Sequence, residues 1–444
     1  MNLKINYNYI YIVIFTFYFF LWGVDLLEIK FVSSLLPRDL YYSNYKNFRL
    51  SYLIIILIVP ITYSFIGEKN LSFKKIFNYQ NYIIFFVLFI VAHFFLIKFY
   101  YHEIIDKSEI ANLLYLLLLS VIYCHYREFI LSNFKKILTL YLIIFVLFSI
   151  FEESQIYNAG QCNNDLFLIN LIQKYLKVSL TNSIYNENSH LAMMTIAVFF
   201  SSVFILVQGK KNNILFLLLF SIEVIIVLNN LSTTYFVGYF FSQITLLLFF
   251  FQKLNVKFWI ITFLFVLINS YFFLSDSNCT RKITQINVKN ITQSNLAPNS
   301  TNLTTKIYER SIIVARDTLI NHSLGWGIDG MDNAHHDLHA KYNDKKEALK
   351  DSRTLHWKLR TLNLKDGLSN LFKLFTEFGI FAFIIFFYFI KYILNLRNIK
   401  SYNIFIIVLF VTMCIRGAGY FNGGFIFCLF EFFYYQKFLI ERKI

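Results

Sequence analysis

The chain predicts an all-α polytopic integral membrane protein of about twelve transmembrane helices, with one large extracytoplasmic loop between the ninth and tenth spans. Three observations predict it. Hydrophobic residues make up 57% of the chain, aromatic residues 20% and charged residues only 15%, a balance foreign to ordinary soluble domains. Runs such as "YNYIYIVIFTFYFFLWGV", "NYIIFFVLFIVAHFFLIKFYY" and "VKFWIITFLFVLINSYFFLS" have the roughly 20 residues that cross a hydrocarbon core about 30 Å thick. Each must then be a helix, because only a helix satisfies its own backbone where there is no water. Lys and Arg, finally, fall in short clusters between these runs rather than along one face.

Taken in order, the spans centre near Thr16, Ile56, Phe86, Leu118, Phe145, Phe199, Leu218, Leu246, Phe263, Phe383, Leu409 and Phe430. The first lacks a small-residue cleavage site and is expected to be retained, and Pro60 is expected to kink the second. An inside N-terminus puts Lys4, Lys69, Lys74, Lys75, Arg127, Lys135, Lys136, Lys210, Lys211, Lys253, Lys257, Lys391, Arg397, Lys400, Lys437, Arg442 and Lys443 in the cytoplasm. That is about twice what the short outside loops carry, so both termini are expected to be cytoplasmic. The net charge of +15 therefore reads as a topology signal and not as a nucleic-acid footprint. Residues 1–274 hold spans one to nine, 275–368 the large loop and 369–444 the last three spans. The cysteines show no metal-ligand spacing; Cys124, Cys414 and Cys428 lie in or beside spans, while Cys162 and Cys279 fall in outside loops where a disulfide is permitted.

Two outside segments exceed what a connection needs: Glu152 to Asn188 and, above all, Ser275 to Leu368. The latter begins with a flexible Asn-, Thr- and Ser-rich part, "TQINVKNITQSNLAPNSTNLTT". From Lys306 to Asn321 the spacing of Ile312, Ile313, Leu319 and Ile320 predicts an amphipathic helix, which the turn residues of "LGWGIDG" end. Arg316 shares that apolar face; Arg310 lies on the stripe with Val314 and Asp317. The stretch "NHSLGWGIDGMDNAHHDLHA" carries four of the chain's nine histidines. His335, His336 and His339 could ligate zinc, since two are four apart, but they fit no recognised motif; a solvated loop and acid/base use are the other readings.

Ionisable residues at membrane depth need a partner or a water-filled cavity, which concerns Glu223, Glu377, Glu431 and His93. Lys373 and Glu377, four apart, predict an intrahelical ion pair. Glu223 and Glu431 are expected either to be protonated and hydrogen-bonded between helices or to have a functional role. "RGAGYFNGG", Arg416 to Gly424, combines glycines that admit a close backbone approach with a permanent planar cation; an anion at the outer interface would satisfy it, as would a tight turn whose Arg snorkels to headgroups. At "NENSHLAMM", Asn188 or Ser189 can cap a helix and Glu187 suits its positive end, whereas His190 fits a mere cap less well.

These features together, the late outside loop, "RSIIVARDTLINHSLGWG" and the following "LFTEFGIFAF", resemble the Wzy-type O-antigen polymerases and the related O-antigen ligase superfamily. "RGAGYFNGG", "NSHLAMM" and "LNNLSTTYFVGYF" look more like the polymerase branch, and the resemblance covers most of Glu187 to Gly424. Ser323 stands where a proline commonly precedes the Gly-x-Gly turn, and Ser369 and Asn370 stand where ligases carry a His-Asn pair. The resemblance implies a metal-independent, cofactor-free, inverting glycosyl transfer at the outer face of a bacterial inner membrane. The donor is a glycan on undecaprenyl pyrophosphate, and the attacker is a hydroxyl of a second lipid-linked repeat. Arg310, Arg316 and Arg416 are the candidates for holding the pyrophosphate; His335, His336, His190 or Glu187 would be the base. The implied partners are the lipid-linked glycan, membrane lipids and a chain-length regulator protein, with no nucleic acid. A ligase that attaches glycan to lipid A core or to protein is the alternative within the superfamily. A flippase for the same lipid is the alternative outside it, although the paired broken spans expected of a transporter are missing.

Overall fold

The computed structural model of the chain describes residues 7–20, 81–101, 107–151, 188–209, 214–229, 232–275, 303–341, 367–417, 419–421 and 424–434. All the described elements are helical. They are α1 (Tyr7–Phe20), α2 (Asn81–Tyr100), α3 (Lys107–Phe151), α4 (Asn188–Gln208), α5 (Ile214–Asn229), α6 (Thr233–Phe250) and α7 (Val256–Ser275). In the late loop follow α8 (Leu303–Asn321) and α9 (Met331–Lys341). Then come α10 (Asn370–Phe378), which passes through a 3-10 turn at Gly379–Phe381 into α11 (Ala382–Asn395), α12 (Ser401–Ile415) and α13 (Phe425–Tyr434). Among the described residues, five stretches are long and apolar enough to cross a membrane: Tyr82–Tyr100, Glu109–Leu147, His190–Gln208, Thr233–Phe250 and Asn370–Asn395. Every expected span centre falls in a described apolar helix except Ile56, which lies outside the described residues together with Pro60, Cys162 and Cys279.

One expectation is corrected. The spans centred at Leu118 and Phe145 lie on the single helix α3, 45 residues long, where a cytoplasmic turn near Arg127 to Lys136 was expected. At 1.5 Å per residue this helix extends about 68 Å, roughly twice the hydrocarbon thickness. The physical reason is compositional: Lys107–Phe151 contains neither glycine nor proline, so nothing breaks the hydrogen-bond ladder. Arg127, which pointed to a solvated turn, is turned inward instead. Its Nη2 lies 2.7 Å from Glu431 Oε1 and its Nε donates to Oε2 at 2.8 Å, a bidentate pair between α3 and α13. Tyr123 also donates to Glu431, and the Tyr434 ring stacks on the guanidinium at 4.0 Å. Glu431 was expected to need a partner at depth, and the partner is this cation.

The core is built around α12. Its residues from Tyr402 to Met413 are almost all buried, as expected of a helix apolar all round and enclosed by others. α12 packs along α4 and α6, where Gly238 leaves room: a Cβ there would stand 2.9 Å from Ile196 Cδ1. The Thr412 hydroxyl reaches Met193 O at 3.5 Å, so the end of α12 lies beside the beginning of α4. At the other end of α12, Lys253 Nζ donates to Leu396 O at 2.8 Å, which joins the basic connection after α6 to the one before α12. These two Lys-bearing connections thus meet at one end of α12, and Arg416, α8 and α9 belong to the opposite end.

Candidate functional site

At that opposite end the loop helices are seated on the span Asn370–Asn395. α8 ends where His322 N bonds to Thr318 O at 2.8 Å, and the chain then makes its glycine turn. Gly325 has φ 86° and lies against the backbone of the span: Trp326 N donates to Thr376 O at 3.1 Å, Gly327 N to Glu377 O at 2.8 Å, and Ile380 N to Ser323 O at 2.9 Å. A Cβ at Gly325 would stand 2.4 Å from Glu377 O, and one at Gly379 would stand 2.1 Å from Ser323 O. Two glycines more than fifty positions apart therefore exist for one contact. His93 of α2 completes it, with Nε2 2.7 Å from Leu324 O, which supplies the partner this buried histidine was expected to need.

The turn delivers Asp329 to the start of α10. Its carboxylate accepts from Asn112 Nδ2 of α3 and lies 3.8 Å from Lys373 Nζ. Lys373 in turn pairs with Glu377 at 2.8 Å, the intrahelical pair that the spacing predicted, with side-chain exposures of 3% and 0%. The Lys373 ammonium also sits over the Tyr420 ring at 5.2 Å. Tyr420 belongs to "RGAGYFNGG", and the same span holds that segment: Asn370 Oδ1 accepts from Gly419 N at 3.1 Å, Gly417 N donates to Leu368 O at 3.1 Å, and Ser369 Oγ donates to Cys414 O. A Cβ at Gly417 would stand 2.2 Å from Asn370 Oδ1, so glycine there is a matter of space. Asn370 is thus the clamp on the Arg416 segment.

α8 buries part of the expected face and part of another: Ile313 is buried together with Ile307, Arg310, Ser311, Val314 and Thr318, Ile312 and Leu319 are half-buried, and Ile320 is 71% exposed. The buried side is mixed: Ile313 and Val314 pack with Trp326, Ala334 and Leu338, while Ser311 bonds back to Ile307 O at 2.9 Å and Asn321 bonds to Asp317 at 2.7 Å. Arg310, on the Val314 and Asp317 stripe, is 5% exposed, and burial pulls its guanidinium down to about 10, still charged at neutral pH. Arg316 is half-buried. Arg416, half-buried at the end of α12, lies beside Tyr308 of α8: burial and the neighbouring Cys414 push that phenol up to about 12, while Arg416 pulls against them.

The expected bases are dispersed. His335 is fully buried in α9, which is a helix rather than a solvated loop, and His336 is exposed and lies 3.2 Å from Asp332. His190 is half-buried in the first turn of α4, and Glu187 lies outside the described residues. Among the described residues no three His, Cys, Asp or Glu side chains converge. The residues that sequence reasoning missed are Asp329, Asn112 and Tyr420. Asp329 had a signal, an acid set between Gly327 and Gly330; Asn112, more than two hundred positions away, had none.

Comparison with protein-family models, curated proteins and solved structures gave no match to the chain. Its class rests on fold and site: a helical protein with several helices fit to cross a membrane and a polar site, partly buried, where a late loop is seated on one of them.

Proposed function

We propose that the chain polymerises undecaprenyl pyrophosphate-linked oligosaccharide repeats into O-antigen or a similar surface polysaccharide, as an inner-membrane glycosyltransferase of the Wzy type. The observation that carries this reading is the seating of the Gly-x-Gly turn, at the end of an arginine-bearing helix, on the Glu-x-Gly turn of the following span. That contact joins the two segments on which the family resemblance rests. It leaves Arg310 and Arg416 at the same end of the bundle, away from the Lys-bearing connections that the reading places in the cytoplasm. Outside the membrane there are no nucleotide sugars, so the energy for transfer must arrive in the lipid-pyrophosphate bond. The leaving pyrophosphate needs cations, and arginine's planar fork suits it better than lysine's point charge.

Two measurements test the reading. Deleting the gene is expected to leave surface carrier bearing at most a single repeat, with long chains absent and lipid-linked single repeats accumulating. Long chains built on undecaprenyl pyrophosphate but missing from the carrier would instead identify a ligase. Within the protein, Arg310→Lys and Arg416→Lys keep the charge and lose the fork, so each is expected to lower chain synthesis by about 100-fold at normal protein level. Full synthesis by both variants would remove the pyrophosphate role.

A further inference from the structure

We propose that Asp329 is the catalytic base that takes the proton of the attacking sugar hydroxyl, an assignment that rests on the glycosyl-transfer reading above. Four observations converge on it. Two carboxylates, Asp329 and Glu377, face the ammonium of Lys373 among the described residues. Glu377 takes the close contact at 2.8 Å and is fully enclosed, whereas Asp329 stands at 3.8 Å with its side chain 27% exposed. Asp329 is therefore the carboxylate of the two that a substrate can reach. Asp329 is also held with φ 63°, one of two described non-glycine residues with positive φ, inside a turn fixed at Gly325 and Gly327. Backbone held in so sparse a region persists where the surrounding structure determines it, which is the rule for groups aimed at a reaction.

The fourth observation is Tyr420. Its hydroxyl is buried beside both carboxylates and engages that of Glu377, so the ring ties down the enclosed carboxylate and leaves the exposed one, Asp329, to the substrate side. The histidines offer less. His335 has no exposed surface, and His336 is on the open side of α9 with Asp332. From α3 the neighbour of Asp329 is the neutral Asn112, which holds the carboxylate without adding charge.

The step balances as follows. The acceptor O–H proton passes to an Asp329 Oδ as the hydroxyl oxygen bonds the donor's anomeric carbon. The bond from that carbon to the pyrophosphate oxygen breaks on the opposite face, and undecaprenyl pyrophosphate leaves with the electron pair. Asp329 then loses its proton to water.

The test is Asp329→Asn in the full-length protein, purified into lipid nanodiscs and supplied with the undecaprenyl pyrophosphate-linked repeat extracted from the deletion strain. Asparagine tolerates positive φ nearly as well as aspartate and leaves the Lys373 to Glu377 pair in place, so the turn is expected to survive. Turnover is expected to fall by about 100-fold or more while affinity for the lipid-linked repeat and the thermal midpoint stay unchanged. Turnover within a few-fold of the parent overturns the assignment, and so does a loss of turnover accompanied by lost binding or a lowered midpoint, which would make Asp329 a structural tie. If the parent protein itself joins no repeats, the glycosyl-transfer reading fails, and the assignment fails with it.

Discussion

Glu431→Leu is expected to destabilise the protein by about 3–5 kcal/mol, and Arg127→Met by less. The asymmetry follows from what each change leaves behind. Without Glu431, a guanidinium enclosed between α3 and α13 keeps its charge, because arginine does not release its proton in proteins. Its remaining acidic neighbour is Glu128 at 2.7 Å, whose side chain is 78% exposed and therefore screened. Without Arg127, the Glu431 carboxyl keeps its bond from Tyr123, so the loss is smaller. Arg127→Met combined with Glu431→Leu should be less destabilising than Glu431→Leu alone, since an apolar pair leaves no orphaned charge. Denaturant or thermal unfolding of the purified protein in lipid nanodiscs, across the two singles and the double, gives the ordering. A double variant as unstable as the sum of the singles would show that packing of the Tyr434 ring and the Arg127 stem, rather than charge, accounts for the contact.

That ion pair also shows why the sequence misplaced a turn. Polar residues between two apolar runs are the usual mark of a cytoplasmic connection, and Arg127, Lys135 and Lys136 fit it; Lys135 and Lys136 are indeed exposed. What decides between a turn and a continuous helix is backbone chemistry, and the absence of glycine and proline from Lys107–Phe151 was legible beforehand. That Glu431, three hundred positions away, would neutralise Arg127 was not. The same division runs through the site. Local rules sufficed for the Lys373 to Glu377 pair, for the end of α8 at the glycine turn and for the need of His93 for a partner. They failed where contacts are long-range: part of the buried face of α8, the enclosure of His335, and the approach of Asp329 to Lys373 and Asn112. The segment from Asn321 to Ala340 was therefore readable as an unusual polar stretch, while its contacts with the span were not.

Gly325→Ala is expected to abolish the seating of the loop on the span, and Gly327→Ala is not, although both residues have positive φ, 86° and 79°. The conformational cost is shared, about 1–2 kcal/mol for an L-residue in the left-handed region. The surroundings differ. At Gly327 a Cβ would meet Ile97 Cγ2 at 3.6 Å, an ordinary contact with a side chain. At Gly325 it would stand 2.4 Å from Glu377 O and 2.7 Å from Gly379 N, backbone atoms of a packed span that cannot move aside. The turn must then lift, which breaks the bonds from Trp326 N, Gly327 N and Ile380 N to their carbonyl partners, so the total is about 4 kcal/mol or more. Because these bonds hold the loop helices and not the helical bundle, the loss should appear locally, as faster amide exchange through α8 and α9 with the bundle still protected. On the proposed glycosyl-transfer reading, chain synthesis should fall by about 100-fold, since the proposed base Asp329 and the proposed anion ligand Arg310 are positioned by the segment that lifts and reacting groups tolerate little displacement. Equal behaviour of the two alanine variants, in exchange and in synthesis, would mean that the close approach of Gly325 to Glu377 does not hold the site together.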